Sequence, residues 1–503
     1  MKLLIMVILL IWLRNTGAAN ILAMMDVHSQ SNYHQKVPLI LALKKAGHNV
    51  TLICTNEEKK IDFNNTVHHS TIYGLMKDGN YWTPEDKEEE HYFKTVSSFL
   101  ERSVQRCENA LQNKGMKELL DSSESTKFDL AIFEPAHGEC FLGMLHKFGS
   151  PAVIALNAVT NPQWTNYMIG NPSYPAYMPN IFLPYSHQMS LFRRMYNIIL
   201  SFYIQYQWNV NYLTKVDAVV QKYFGSSAPS VTAILQNVSA VMVHTDPSFD
   251  YSYLQWPAGV SVAGIHIGKP KKLSKGLKTF LDRAKHGVIL FSLGGDLQMS
   301  DKIKQKFRTA FLKLDQRILW NWEMDTSLQK PKKIKTGQWI SHTDLLAHHN
   351  VHLFITQASR VSILEATSQG IPIIGIPFGR EQHSNMEKVI ARGTGVQLDY
   401  KSINERTILE AVQEILRNTS YTENARKQSA DFNDHPKTPM ERALYWCDYV
   451  IRHKGAPHLH SASMGLINVL IFIVAVIVIL TILTRRCYKV QTKKKSRVRS
   501  KRR

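Results

Sequence analysis

Polar side chains suited to holding a phosphorylated, hydroxyl-rich molecule cluster in the second half of the chain. An apolar strand, His352 to Thr356, runs into a short loop, Gln357 to Ser359. Helical spacing follows over Arg360 to Gln369, and a second buried strand over Ile371 to Ile376. Strand, short loop and helix put a helix N-terminus at the carboxyl end of a parallel sheet, where free N–H groups and the helix dipole favour a phosphate. Glu365 lies within that helix, and its carboxylate could accept from two vicinal hydroxyls. Upstream, Ser292 ends another apolar run just before Gly294-Gly295. Each of these polar residues could instead cap a helix or satisfy a loop. No Gly-rich dinucleotide fingerprint and no paired acidic metal-ligand motif accompanies them, so neither a nicotinamide cofactor nor a metal is implied.

The elements that must position these groups read as two α/β halves. Asn20 to Met24 is an apolar strand, Asp26 to Tyr33 a polar loop and Pro38 to Ala46 a helix. Gly47-His48 stops that helix before the strand Asn49 to Cys54. This βαβ opening predicts a parallel sheet, continued by strands at Leu130 to Phe133 and Ala152 to Ala155. Trp164 to Trp208 is dense in aromatics, with helical spacing over Met189 to Ile204. It reads as core and loop packing, or as a surface facing a lipophilic acceptor or a membrane. Lys-rich residues 269–278 read as a linker between an N-terminal domain, 20–268, and a C-terminal domain, 279–445.

At 503 residues the chain can bury two full cores. Lys2, the apolar run Leu3 to Leu13 and the small residues up to Ala19 form a secretory signal, residues 1–19. Residues 446–463 lead to Met464–Thr484, an uncharged apolar stretch of 21 residues, which as a helix would span roughly 31 Å, one bilayer core. The tail, 485–503, holds eleven Lys and Arg and no acid, which places it in the cytosol and the bulk of the chain in a lumen. That tail supplies about half of the net charge of +21, so the basicity is no nucleic-acid footprint. Sequons at Asn49, Asn64, Asn237 and Asn418 agree with a lumenal body. Five cysteines show no metal spacing; one lumenal pair is open to them, and Cys487 at the membrane edge could be palmitoylated.

Trp339-Ile-Ser-His342, Asp344-Leu-Leu, Thr356-Gln-Ala-Ser359, Glu365, Pro372, Pro377 and Glu381-Gln382 together resemble the signature of the membrane-bound UDP-glycosyltransferases, which include the glucuronosyltransferases. Leu281–Asp296, Gln316–Glu323 and Ala443–Leu459 resemble further segments of that family, and the likeness runs from the signal segment to the tail. It implies a GT-B fold, two Rossmann-like domains facing a cleft, with one C-terminal transmembrane helix. It also implies an endoplasmic-reticulum enzyme, single-pass, that takes a UDP-sugar as co-substrate and inverts the anomeric carbon on transfer to a lipophilic hydroxyl. The ending Arg499-Ser-Lys-Arg-Arg resembles a dilysine retrieval signal. Homo- or hetero-oligomers with other members stay open.

By the resemblance, Trp339 stacks on uracil, His342 donates to it and Glu365 takes the ribose hydroxyls. Ser292, Gly294, Gln357 and Ser359 face the diphosphate, and Glu381 and Gln382 the sugar. The family's base is a His at the position of Asn32; His34, or His28 in the same loop, could replace it, oriented by Glu134 or Glu139. The frame departs from the family at Asn32, Asn321, Gln357, Ala358 and Ser359, where imidazole, a basic group and two glycines are usual. Two readings follow: an active hexosyltransferase for glucose or glucuronate, with glucose favoured by Asn321, or a catalytically degenerate member that binds lipophiles or partner proteins.

Overall fold

The computed structural model describes residues 17–25, 30–54, 66–68, 91–136, 138–157, 160, 162–294, 299–320, 332–336, 341–459 and 481, with only the backbone course for 30–34, 54 and 66–68. Two all-parallel sheets carry the chain. The first has the order β3-β2-β1-β4-β5-β6-β7, from β1 (Asn20–Met25), β2 (Asn49–Cys54), β3 (Thr66–His68), β4 (Leu130–Phe133), β5 (Ala152–Leu156), β6 (Ala240–Val243) and β7 (Gly259–Ser261). The second runs β10-β9-β8-β11-β12-β13, from β8 (Val288–Ser292), β9 (Arg317–Trp320), β10 (Ile334–Thr336), β11 (Val351–Thr356), β12 (Ile373–Gly375) and β13 (Gly395–Gln397).

Both faces of the first sheet are covered, which is why its strands are apolar at every position rather than at alternate ones. Leu22, Met24, Ala131 and Phe133 point into one core layer, and Ile21, Ala23, Leu130 and Ile132 into the other. The helices that matter for the site are α1 (Gln30–Lys45), α2 (Tyr92–Leu111), α3 (Glu139–Leu142), α4 (Leu191–Tyr206), α5 (His342–Leu346), α6 (Arg360–Gln369), α7 (Arg380–Ala391) and α8 (Pro439–Arg452). From α8, Ala443, Cys447 and Val450 are buried on the first sheet beside Leu39, Ile40 and Leu43 of α1, so the end of the described chain returns to the N-terminal half.

Helix α1 starts at Gln30, within the expected loop, and carries Pro38 in its interior. A proline there usually opens a helix because it lacks an N–H. Packing of Val37, Leu39, Ile40 and Leu43 against the sheet overrides that local signal. Helix α6 begins and ends where the sequence places it, between its N-cap Ser359 and the left-handed Gly370 at φ +67°. Cys107 of α2 and Cys140 of α3 form a disulfide, which ties two helices of the N-terminal layer. The signal segment before Gly17, Met464–Thr484 apart from Thr481, and the tail lie outside the described residues. No helix among the described residues is long and apolar enough to cross a membrane.

Candidate functional site

Strands β8 and β11 lie side by side with Ser292 opposite Thr356, so their carboxyl ends open at one level. The polar groups converge there. His342, on the first turn of α5, sets its Nε2 at 3.0 Å from Ser292 Oγ and its Nδ1 at 3.1 Å from Glu365 Oε2. Thr343 Oγ1 donates to the other Glu365 oxygen at 3.1 Å. All four residues are buried. Burial pulls the Glu365 carboxyl up, but the neighbouring His342 and its hydrogen bond outweigh that and hold it below the usual carboxylate range. An ionised carboxylate only accepts, so the proton between it and His342 sits on Nδ1. Nε2 faces the Ser292 hydroxyl, as acceptor when it carries no proton and as donor when it does.

Around this trio the backbone turns sharply at two positions, in the cradle expected to face a phosphate. Gly294 has φ +82°, and a Cβ there would lie 2.4 Å from Gln357 Nε2, so the glycine makes room for that half-buried amide. Ala358 also takes a left-handed conformation, φ +61°, although it is not glycine. Ser359 caps α6: its hydroxyl accepts from the Ser362 N–H at 3.4 Å and donates to Ser362 Oγ at 3.1 Å. One of the N–H groups expected to meet phosphate is therefore taken by the chain itself.

On α7, Gln382 Oε1 accepts from the N–H groups of Phe378 (2.6 Å) and Gly379 (2.9 Å), which ties that oxygen to the loop before the helix. Glu381 accepts from Asn385 at 2.6 Å; burial raises its pKa, and that bond works against the rise. Trp339 and Asn321 lie outside the described residues.

On the acceptor side, the two carboxylates expected to orient a base both have partners among the described residues. Glu134, just beyond β4, is ion-paired with Lys36 of α1, and both are buried. Burial raises the Glu134 pKa, with Lys36 pulling it back down. Lys36 shares a helix face with Leu39, Ile40 and Leu43, a spacing that marks a buried lysine in the sequence. Glu139 accepts from the Ala136 N–H at 2.6 Å and from Tyr212 Oη at 2.7 Å. Both oxygens thus pin the loop after β4, where Ala136 has φ +73°. His34 is on the first turns of α1, without a described side chain, and His28 lies outside the described residues.

Between the halves, Asp250, from the segment joining β6 and β7, pairs with Arg360 at the start of α6 and with Lys388 of α7 at 2.8 Å. Arg360 Nε also donates to the His244 carbonyl at 3.0 Å, and Arg392 to that of Phe249 at 2.9 Å. Arg380 of α7 lies over the Tyr92 ring of α2, 4.3 Å from its centroid. Arg360 stands next to the cradle in sequence, yet its charge is spent on the domain junction. A separate small pocket, partly open to solvent, lies wholly in the N-terminal half between Trp164, Tyr174, Met178, Ile181 and Tyr253. Asn49, Asn237 and Asn418 are exposed, while Asn64 lies outside the described residues.

Comparison with known proteins gives this geometry its frame. Solved glycosyltransferases share the fold: the calicheamicin glycosyltransferase CalG4 superposes with a TM-score of 0.58 over 86% of this chain and 99% of its own, at 16% identity. The spinosyn forosaminyltransferase SpnP gives 0.57 over 86% and 100%, at 15%. At such identities the likeness is one of fold, the two-sheet GT-B type. By sequence, UDP-glucosyltransferase 2 of Dactylopius coccus is 31% identical over 92% of this chain and 90% of its own. The UDP-glucuronosyltransferase 2B15 of Rattus norvegicus is 26% identical over 78% and 75%. The family model described as UDP-glucoronosyl and UDP-glucosyl transferase matches residues 18–502. The chain therefore belongs to the UDP-glucuronosyl and UDP-glucosyl transferase family, and is by membership a glycosyltransferase that takes a UDP-sugar donor.

Proposed function

We propose that the chain moves a hexose, glucose in preference to glucuronate, from UDP to a hydroxyl of a small lipophilic molecule, with inversion. The observation that carries this is the convergence of Ser292 and Glu365, groups suited to phosphate and ribose, on His342 at the mouth of one sheet. Transfer would form the acceptor O–C1 bond as the C1–O bond to UDP breaks, the hydroxyl proton passing to His34. A lipophilic acceptor is supported by α4. Phe192, Met195, Ile199, Phe202 and Tyr206, at helical steps of three and four, are all exposed, Phe192 to 82%. No acidic residue occurs between Glu139 and Asp217. Such a face suits a lipid interface.

The same features support a single-pass protein of the endoplasmic reticulum, held by Met464–Thr484 with its domains lumenal and its tail cytosolic. The buried Cys107–Cys140 disulfide and the exposed Asn49, Asn237 and Asn418 suit an oxidising lumen. A second reading, a member that binds but does not turn over, is favoured by one observation: Lys36 occupies Glu134, one of the two carboxylates that could orient the base. Turnover of UDP-glucose and UDP-glucuronate against a panel of phenols, with calorimetry of UDP alone, separates the two. Binding with turnover supports transfer; binding without it supports the second reading; no binding of either nucleotide overturns both as readings of the donor site.

A further inference from the structure

His342 bridges Glu365 and Ser292, which compete for what a diphosphate needs. With Glu365 ionised, the imidazole donates through Nδ1, and while Nε2 carries no proton it accepts there from Ser292. The one hydrogen of the Ser292 hydroxyl is then spent on the ring, and only lone pairs face the cradle. A phosphate oxygen is also only an acceptor, so it meets Ser292 unfavourably. If His342 takes a second proton, Nε2–H donates to Ser292 Oγ instead. The Ser292 hydrogen is released to swing toward the phosphate, and a positive charge stands behind it.

The surroundings make that charge matter. Around the ring are Glu365 of α6 at Nδ1, Ser292 of β8 at Nε2 and the Phe354 ring of β11, with centroids 5.1 Å apart. Thr343 of α5 braces the far oxygen of Glu365, and His266 is the further titratable group felt there. Glu365 is the anion at the ring and favours the imidazolium. The nearby cations do not serve the cradle, because Arg360 and Lys388 are both committed to Asp250. Gln357, in the loop, is neutral at every pH.

We propose that His342 is the positioning group for the donor diphosphate, and that binding of a UDP-sugar is coupled to uptake of one proton by the Ser292–His342–Glu365 relay. The cation missing from the loop is supplied from behind Ser292. The inference rests on the donor site proposed above.

The test is calorimetry of UDP-glucose and of UDP-glucuronate, without acceptor, on the full-length protein. Neither nucleotide sugar has a phosphate that titrates near neutrality, so proton uptake reports the protein. Heats measured in buffers of different ionisation enthalpy should give uptake approaching one proton at the alkaline end, and affinity should rise about tenfold from pH 8 to pH 6. Uridine, which lacks phosphate, should bind without uptake. His342→Gln, which can still bridge Ser292 and Glu365, should bind with no uptake and a flat pH profile. A flat profile and no uptake in the unmodified protein, with the sugars bound, overturns the relay but leaves the donor site standing. Uptake that persists in His342→Gln assigns the proton elsewhere and also overturns it. Absence of binding at every pH overturns the donor site and the relay together.

Discussion

Glu139 is a carboxyl whose work is local, and its titration can be read in stability. Burial lifts its pKa to about 7, against the opposing hydrogen bonds from Ala136 and Tyr212. The folded protein therefore holds a proton there that the unfolded chain, at about 4.3, has already lost. Between those values the native state binds more protons, so this group makes stability fall as pH rises through roughly 4.5 to 7. The full span is worth up to about 3 kcal/mol. Glu139→Gln should remove that contribution, seen as a smaller fall in urea midpoint from pH 5 to pH 8 than in the unmodified protein. Ala358 makes the second case. Its φ of +61° and full burial leave no room for a branched side chain. Ala358→Val should cost about 3 kcal/mol or more, whereas Ala358→Gly should stay within about 1 kcal/mol, because relieved strain offsets the lost methyl. Thermal unfolding distinguishes them, and equal losses in the two variants would show that the left-handed turn does not constrain this position.

Helix α6 shows how one element can serve its own stability and its ligand in opposition. Ser359 ends the loop as a good N-cap and takes the Ser362 N–H. A glycine there would leave that N–H free for a charged oxygen. Ser359→Gly should lower stability by only a few tenths of a kcal/mol and tighten UDP binding about threefold to tenfold. Weaker binding after the change would mean that the serine hydroxyl itself contacts the nucleotide. Helix α1 illustrates the opposite use of a polar group. Lys36 sits in a stripe of Leu39, Ile40 and Leu43, and its burial is tolerated because Glu134 meets it from β4.

At the scale of the whole molecule, Asp250 joins the two halves. Its carboxyl is buried, which alone would raise its pKa, but Arg360 and then Lys388 bring it below the ordinary value. Its contribution is therefore present above about pH 4 and is lost as pH falls through the lower folded value. Asp250→Ala leaves two cations buried without their partner and should destabilise the protein by about 3 to 5 kcal/mol. Because Arg360 begins α6, the change should also weaken UDP binding. Unchanged unfolding in urea would show that the halves are held by α8 and the Arg380–Tyr92 contact instead.

Much of the frame was legible in the sequence because it depends on short-range signals. Ser359 and Gly370 bound α6, apolar runs mark β1, β2, β4, β8 and β11, and the ordered motifs from Trp339 to Gln382 point to the family. The start of α1 was not legible, since Pro38 argues locally for a helix that begins there while sheet packing extends it to Gln30. Partner choice was also decided by tertiary structure alone. Lys36 and Glu134, Cys107 and Cys140, Asp250 and Arg360, and the set Ser292, His342 and Glu365 each join separate elements. The reason is physical: the repeats of helix and strand tell which face a residue occupies, whereas the group opposite that face is set by how distant elements dock. The sequence by itself therefore determined the family and the two-sheet architecture. Only the folded chain decided which carboxylate meets which cation, and so which groups remain to meet a nucleotide sugar.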